Sequence, residues 1–222
     1  MELRGLDSKN VWDYENAFYW FSPAFRMNKL LAHYELYRSI VDLPGSVMEL
    51  GVYKGASLVR LATFRGVLEN EYSRKIIGFD AFGQFPTDNL ESDDDLSFID
   101  GFEAAGGAGL ERSEMQGVLD LKKFGNVELV KGNVFDTLPA YLESHPETRI
   151  SFLHLDMDVK EPTAFAIELL YDRIVPGGLV VIDDYNAVAG ATDAIDSFAA
   201  EEGQIIEKLP YYSVPAFIRK PV

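Results

Sequence analysis

From Gly45 onward the chain switches between two hydrophobic rhythms. SVMELG, KIIGFDAF, VELVKGN and ISFLHLDMD are short apolar runs of the kind that form buried strands, each closed by polar or glycine-bearing residues. Between them KGASLVRLATFRGVLEN, LPAYLESH and EPTAFAIELLYDRI repeat their apolar positions at helical spacing. Strand and helix in alternation predict parallel βαβ units. PGGLVVIDDY reads as a fifth strand entered through a Pro-Gly-Gly turn, and QIIEKLP and PAFIRKPV as a closing antiparallel pair at one edge.

Two regions depart from this rhythm. Between Val11 and Val41 the residues Phe18, Phe21, Phe25, Leu30, Leu31, Tyr34 and Tyr37 recur at helical spacing, which predicts helices broken near Ser22-Pro23. Most of these aromatics are expected to pack on the main core, and some to roof an active site. From Gly83 to Leu121 periodicity lapses in a stretch rich in Asp, Glu and Gly, read as a mobile loop with short helical pieces or as plain disorder. The expected architecture is an α/β doubly wound, Rossmann-like sheet, mostly parallel with an antiparallel edge strand, plus N-terminal helices. Residues 1–44 are expected to form a helical cap and residues 45–222 the main domain, with an acidic lid over 83–121.

Composition narrows the function classes. At 222 residues with 47% hydrophobic and 25% charged positions, the chain has the balance of one globular domain. Its 36 acidic and 20 basic residues give a net charge of −16, which repels phosphate backbones and anionic lipids, so no nucleic-acid or membrane partner is expected. The absence of cysteine excludes disulfides, thiolate metal sites and a cysteine nucleophile, and fits a cytoplasmic protein. MELRGLDSKN lacks the apolar stretch of a signal peptide, and no apolar run approaches the ~20 residues that span a bilayer.

Candidate chemistry sits at the carboxyl ends of the predicted strands. VMELGVYKGAS carries an acid at a strand end, then Gly51 and Gly55 in a turn, then a helix whose free N–H groups suit a nucleotide-like ligand. The spacing differs from the dinucleotide fingerprint G-x-G-x-x-G. Asp80, ending the next strand, is placed to accept from both hydroxyls of a ribose, or simply to cap the turn before Phe82. KGNVF, after the third strand, lies where adenine commonly sits. These features resemble the class I S-adenosylmethionine methyltransferases. The resemblance implies that Glu49 and Gly51 face the methionine part of the cofactor, that Ser57 lies near its carboxylate, that Asp80 holds its ribose, and that Asn133 and Val134 hold its adenine.

FLHLDMDVKEPT and LVVIDDY bring four more acids to adjacent strand ends: Asp156, Asp158, Asp183 and Asp184. Side chains two apart share a face and neighbouring strands lie ~4.8 Å apart, so the four share one rim. Crowded carboxylates raise one another's pKa unless a proton or cation intervenes, and an all-oxygen site suits Mg²⁺ or Ca²⁺. Capping of the helix at Pro162-Thr163 accounts for one of the four. His154 lies within the strand, where it is read as a core residue or a support for a neighbouring ligand. LHLDMDVKEPT, PGGLVVIDDYN and TDAIDSF together resemble the macrocin and novobiocin group of sugar O-methyltransferases. That resemblance implies a Mg²⁺-assisted transfer to a hydroxyl of a sugar or sugar-bearing metabolite, with Asp156, Asp183 and Asp184 as metal ligands, Asp158 as general base, Tyr185 and Asn186 near the substrate, and a homodimer or higher homo-oligomer. Two alternatives stay open. One is a metal-dependent sugar-modifying oxygenase, for which His33, His145 and His154 are not well placed by the sequence; the other is a protein that holds the cofactor without turnover.

Overall fold

The computed structural model describes residues 1–222. A two-residue hairpin, β1 (Glu2–Leu3) and β2 (Leu6–Asp7), precedes α1 (Val11–Phe21) and α2 (Ala24–Arg38). Pro23, which has no N–H to donate, sits at the N-cap of α2 and separates the two helices. They differ in how they meet the body. α2 buries Ala32, His33, Leu36 and Tyr37, and its apolar face belongs to the main core rather than to a separate cap. α1 buries nothing: Trp12, Tyr19, Trp20 and Phe21 are exposed, and Phe25 just inside α2 is exposed too. The expectation that the aromatic segment packs on the core therefore holds for Tyr34 and Tyr37 and fails for α1. Helical spacing of aromatics says which share a face, not whether a surface exists for that face to meet.

The remaining elements are β3 (Ser46–Leu50), α3 (Ala56–Leu68), β4 (Ile76–Asp80), α4 (Asp93–Gly106), α5 (Arg112–Lys122), β5 (Val127–Lys131), α6 (Val134–Ser144), β6 (Ile150–Leu155), α7 (Lys160–Leu170), β7 (Ile174–Ile182), α8 (Ala189–Glu202), β8 (Ile206–Leu209) and β9 (Tyr212–Arg219). Seven strands form one sheet in the order β5-β4-β3-β6-β7-β9-β8, with β9 antiparallel to both of its neighbours. This is the doubly wound architecture expected. Strand order runs outward from β3 to β5 and then reverses at β6, so the crevice opens between the carboxyl ends of β3 and β6. No helix is long and apolar enough to cross a membrane.

Period-two alternation sorts the strand residues between two cores. Val47, Phe152, Leu179 and Val181 face α2 and α3, whereas Met48, Leu50, Leu153, Leu155 and Ile182 face α6, α7 and α8. The register pairs Glu49 with His154 and His154 with Val181, all on the α2 side. Polar side chains thus lie beneath α2 in line with apolar ones.

Two local expectations are corrected. Pro176-Gly177-Gly178 is no turn: β7 runs through it, because Gly177 N–H donates to the Lys220 carbonyl and Gly178 accepts from the Lys220 N–H, both at 2.9 Å. A register shift against β6 absorbs the irregularity. The segment over 83–121 holds two full helices, not loop or disorder. α4 begins with Ser92, whose side chain accepts from Asp95 N–H, and three acids in its first turn complement the helix dipole. α5 opens with a capping box between Glu111 and Glu114 and sends Met115 and Leu119 into the core, so this second half is part of the body rather than of a lid.

Backbone meets backbone most closely at the crevice. Gly51 has φ +91°, and a Cβ there would overlap the carbonyl of Asp156. Gly66, in the exposed interior of α3, has open space around it. Gly51→Ala is therefore expected to lower unfolding free energy by ~3 kcal/mol or more, whereas Gly66→Ala should raise it by ~0.5–1 kcal/mol through helix propensity. Urea denaturation of both variants checks the contrast, and a mild effect at Gly51 would contradict the close approach.

Candidate active site

A cavity of about 510 Å³ occupies the crevice. The glycine-bearing turn forms its floor through Gly51, Val52 and Tyr53, with Ser57 from the first turn of α3 beside them. Asp80, Asn133 and Val134 line one end, and Asp156, Asp158, Asp183 and Asp184 the other. α4 supplies a wall with Phe102 and Glu103. That helix is tied down at both ends: buried Asp95 accepts the N–H of Lys160 at 2.9 Å, while Lys54 and the Tyr53 hydroxyl donate to the carbonyls of Gly106 and Gly107 at 2.6 and 3.1 Å.

Asp80 serves its own turn first. One carboxylate oxygen accepts the N–H groups of Val52 and Tyr53 at 2.7 and 2.8 Å, and the other accepts that of Phe82 at 2.5 Å. The turn-capping role weighed from sequence is present, and the carboxylate still lines the cavity. Two other residues expected at the cofactor do not line the cavity. Glu49 is fully buried on the α2 face, where it accepts from His154 Nδ1 at 2.9 Å, because a strand residue one step before the rim points into the core. Gly55 is absent from the lining. It caps α3 at φ +76°, where a Cβ would overlap the Met115 side chain, so its role is packing of α5. Tyr185 donates to Asp196 on α8 at 2.7 Å, and neither it nor Asn186 lines the cavity.

The four aspartates divide into two environments. Asp156, Asp158 and Asp184 each bring a carboxylate oxygen within 4.8 Å of the others. Asp158 reaches this position from a left-handed backbone (φ +65°), with its N–H donating to Asp184 at 3.3 Å. Burial, then the charge of Asp183, pushes Asp156 well above the usual carboxylate range and Asp158 up to about 6. Burial with the charges of Asp158 and Asp183 pushes Asp184 up to about 8. The trio holds excess negative charge that a proton or a hard divalent cation relieves, and its all-oxygen donor set fits Mg²⁺.

Asp183 is bound differently from the expected metal ligand. Lys29 Nζ lies 2.5 Å from its Oδ2, while His154 Nε2 and His33 Nε2 approach its Oδ1 at 3.4 and 3.6 Å. Burial opposes ionisation, but the hydrogen bond from His154, the approach of the His33 ring nitrogen and the charges of His154 and Lys29 hold Asp183 well below the usual range. His154, buried between Glu49 and Asp183, has its pKa raised to about 10, since those two carboxylates outweigh the cost of burial. His33 goes the other way, lowered by burial to about 4. Its Nδ1 lies 3.0 Å from Arg60, which can only donate, so the ring proton sits on Nε2 facing Asp183. Both histidines thus present an N–H to Asp183 and no lone pair. The cluster of His33, His154 and Asp183 has the composition of an iron-oxygenase triad but not its donor atoms.

Sequence reasoning missed Lys29 and Arg60, and named His33 only as a poorly placed iron ligand. Lys29 and His33 lie four apart on one face of α2, and nothing local connects that face to Asp183.

A model of the macrocin O-methyltransferase family matches residues 20–211. The 8-demethyl-8-(2,3-dimethoxy-alpha-L-rhamnosyl)-tetracenomycin-C 4'-O-methyltransferase of Streptomyces olivaceus is 30% identical over 169 residues, covering 72% of this chain and 60% of its own length. The mycinamicin III 3''-O-methyltransferase of Micromonospora griseorubida is 27% identical over 171 residues, covering 72% and 63%. The chain thus spans about three fifths of the length of these curated relatives. Among solved structures, the calicheamicin methyltransferase CalS11 superposes with a TM-score of 0.75 at 27% identity over 96% of this chain and 86% of its own. The O-methyltransferase NovP, at 18% identity and a TM-score of 0.73 over 87% and 79%, shares the fold.

If Glu49 balances the buried His154 charge, Glu49→Leu should cost ~3–5 kcal/mol of stability, the range for breaking a buried ion pair from one side. Chemical denaturation measures this, and a loss below ~1 kcal/mol would contradict the pairing.

Proposed function

The chain belongs to the macrocin O-methyltransferase family, and from that premise we propose that it moves a methyl group from S-adenosylmethionine to a hydroxyl of a sugar carried by a small natural product. The observation that carries this reading is the convergence, in one cavity, of a glycine-bearing turn with Asp80 and Asn133 at one end and a carboxylate cluster at the other. The Streptomyces olivaceus relative is by name the methyltransferase of a rhamnosyl-bearing metabolite. The net charge of −16 favours such an acceptor over nucleic acid.

In this reading Gly51 lets the chain pass close beneath the donor's methionine part, with Ser57 near its carboxylate, Asp80 accepts from its ribose, and Asn133 and Val134 border its adenine. The donor supplies an activated methyl group on a sulfonium, and the protein's task is to align an acceptor oxygen in line with it. Asp156 and Asp184, with Asp183, would hold Mg²⁺, which when bound stabilises negative charge developing on a hydroxyl oxygen. Asp158 takes the proton of the acceptor hydroxyl as the new bond forms. A carboxylate pushed up to about 6 lies near working pH, which suits a general base. Lys29 and His154 keep Asp183 ionised beneath the site.

A second reading of the ligand set follows from the geometry of the trio: Asp158 lies with Asp156 and Asp184, and Asp183 is engaged by Lys29. Asp158 would then be the third ligand. Asp158→Asn and Asp183→Ala separate the two. With Asp158 as base, Asp158→Asn lowers turnover by ~10²–10⁴ at nearly unchanged metal affinity, and Asp183→Ala weakens metal binding and is partly rescued by excess Mg²⁺. Calorimetry with Mg²⁺ and transfer of labelled methyl to a panel of glycosylated acceptors measure both. Rescue of Asp158→Asn but not of Asp183→Ala would reverse the roles, and no transfer to any acceptor by the unaltered protein would count against the function.

The wall from Gly83 to Gly109 is proposed as the lid, narrowed from the 83–121 of the sequence reading because α5 is part of the core. Its ends rest on Tyr53, Lys54 and Lys160, so a donor seated on the turn should firm it. Limited proteolysis is expected to cut this segment first and more slowly with S-adenosylhomocysteine present; equal cleavage rates would contradict the lid.

A further inference from the structure

The cavity is rich in carboxylates, and that poses a problem for any ligand bearing one of its own. S-adenosylmethionine carries two positive groups, the sulfonium and the ammonium, which acidic walls favour, and one carboxylate, which they repel. A compensating cation is needed. Four basic side chains line the cavity: Arg26, Lys29, Lys54 and Arg60. Lys29 is taken by Asp183 at 2.5 Å. Lys54 donates to the Gly106 carbonyl at 2.6 Å on the lid side. Arg26 is exposed, and its side chain makes no hydrogen bond or ion pair within the chain.

Arg60 differs from all of these. It is half-buried on α3, one helical turn beyond Ser57, and its one hydrogen bond uses NH1, to His33 Nδ1 at 3.0 Å. No carboxylate pairs with it, and its remaining N–H groups are unspent. A guanidinium offers five donors in a planar fork that matches a carboxylate. Burial weighs against the Arg60 charge, Asp183 favours it across space without an ion pair, and the charge of Arg26 opposes it; Arg26 and Arg60 thus line the same cavity with neither side chain in an ion pair. The N-terminus of α3 adds to these charges, since Gly55 at the N-cap offers no side chain to occupy the first N–H groups.

We propose that Arg60, supported by Arg26 in the same cavity, is the anchor for the carboxylate of the methyl donor's amino-acid tail. This rests on the donor being S-adenosylmethionine, as proposed above. Arg60 is a binding residue here, and it takes no part in proton transfer. His33 positions it: the buried imidazole accepts from NH1 and holds the fork toward the cavity instead of letting it fold back onto Asp183.

The test compares two ligands that differ in the tail alone. S-adenosylhomocysteine keeps the amino-acid carboxylate, and 5'-methylthioadenosine keeps the nucleoside and sulfur without it. In calorimetric titration Arg60→Gln should weaken S-adenosylhomocysteine about 10–100-fold, the range for losing a charge-assisted pair, and leave 5'-methylthioadenosine within about twofold. Arg60→Lys should recover part of the loss, and Arg26→Gln should reproduce a smaller part of it without touching the buried His33 contact. Equal weakening of both ligands, or of neither, overturns the proposal. So does binding of inorganic diphosphate, in the presence of saturating S-adenosylhomocysteine, that Arg60→Gln abolishes, because Arg60 would then serve a phosphate on the acceptor. If the unaltered protein binds neither nucleoside, the reading of the donor itself falls; if it binds both and only the variant pattern is wrong, the assignment of Arg60 falls alone.

Discussion

Crowding of negative charge at one end of a parallel sheet is the constraint around which the site is arranged. Two adjacent strands, β6 and β7, each end in a pair of acids, and four carboxylates at this spacing cannot all ionise in a half-buried crevice without compensation. The chain answers from below. His154, charged between Glu49 and Asp183, and Lys29, reaching down from α2, stabilise the ionised form of Asp183. Asp156, Asp158 and Asp184 receive no comparable partner and are driven toward their neutral forms. Environments that push neighbouring carboxylates apart in pKa are characteristic of sites that bind cations and move protons.

Sheet topology decides where that crowding occurs. Strand order reverses between β3 and β6, so the helices that follow them turn to opposite faces and leave a crevice with no helix across it. Gly51 and Asp156 touch backbone to backbone at this point, which brings the glycine-bearing turn and the first of the aspartates together. The two ends of the cavity are thereby held in register by main chain, which cannot adjust its rotamer as a side chain could. Asp80 adds a further tie through the N–H groups of Val52 and Tyr53, and α4 leans on the same turn. The glycine-bearing turn is thus linked by main chain to the carboxylate end and by hydrogen bonds to Asp80 and α4.

The cations show the same economy of placement. With 20 basic residues against 36 acidic, a few positive side chains reach the cavity, and the one deepest there without a carboxylate partner is Arg60. Its contact with His33 also removes that histidine from any metal chemistry, because an imidazole accepting at Nδ1 must carry its proton on the nitrogen facing Asp183. One hydrogen bond thus accounts both for the direction of the guanidinium and for the absence of an oxygenase-type ligand set.

Local sequence was enough for the architecture and for the rim of the site. Buried strands and amphipathic helices announce themselves over five to fifteen residues, and acids at strand ends are legible because each strand ends where its apolar run ends. Thus β3 to β7, the glycine-bearing turn and all four aspartates are legible in the sequence. Elements whose signals are weak or ambiguous were misread: α4 and α5, whose apolar positions lie within a long stretch rich in Asp, Glu and Gly; the Pro-Gly-Gly run inside β7, where pairing to Lys220 overrides the turn preference; and α1, whose aromatics find no surface to cover. Function within the rim was a further step removed. The turning of Glu49 into the core followed from strand alternation and was available in principle, but the capture of Asp183 by Lys29 and His33 was not, since it joins residues about 150 positions apart. Periodicity reports which side of its own element a residue occupies; which charge meets it across the gap between elements is an electrostatic fact that exists only once the chain has folded.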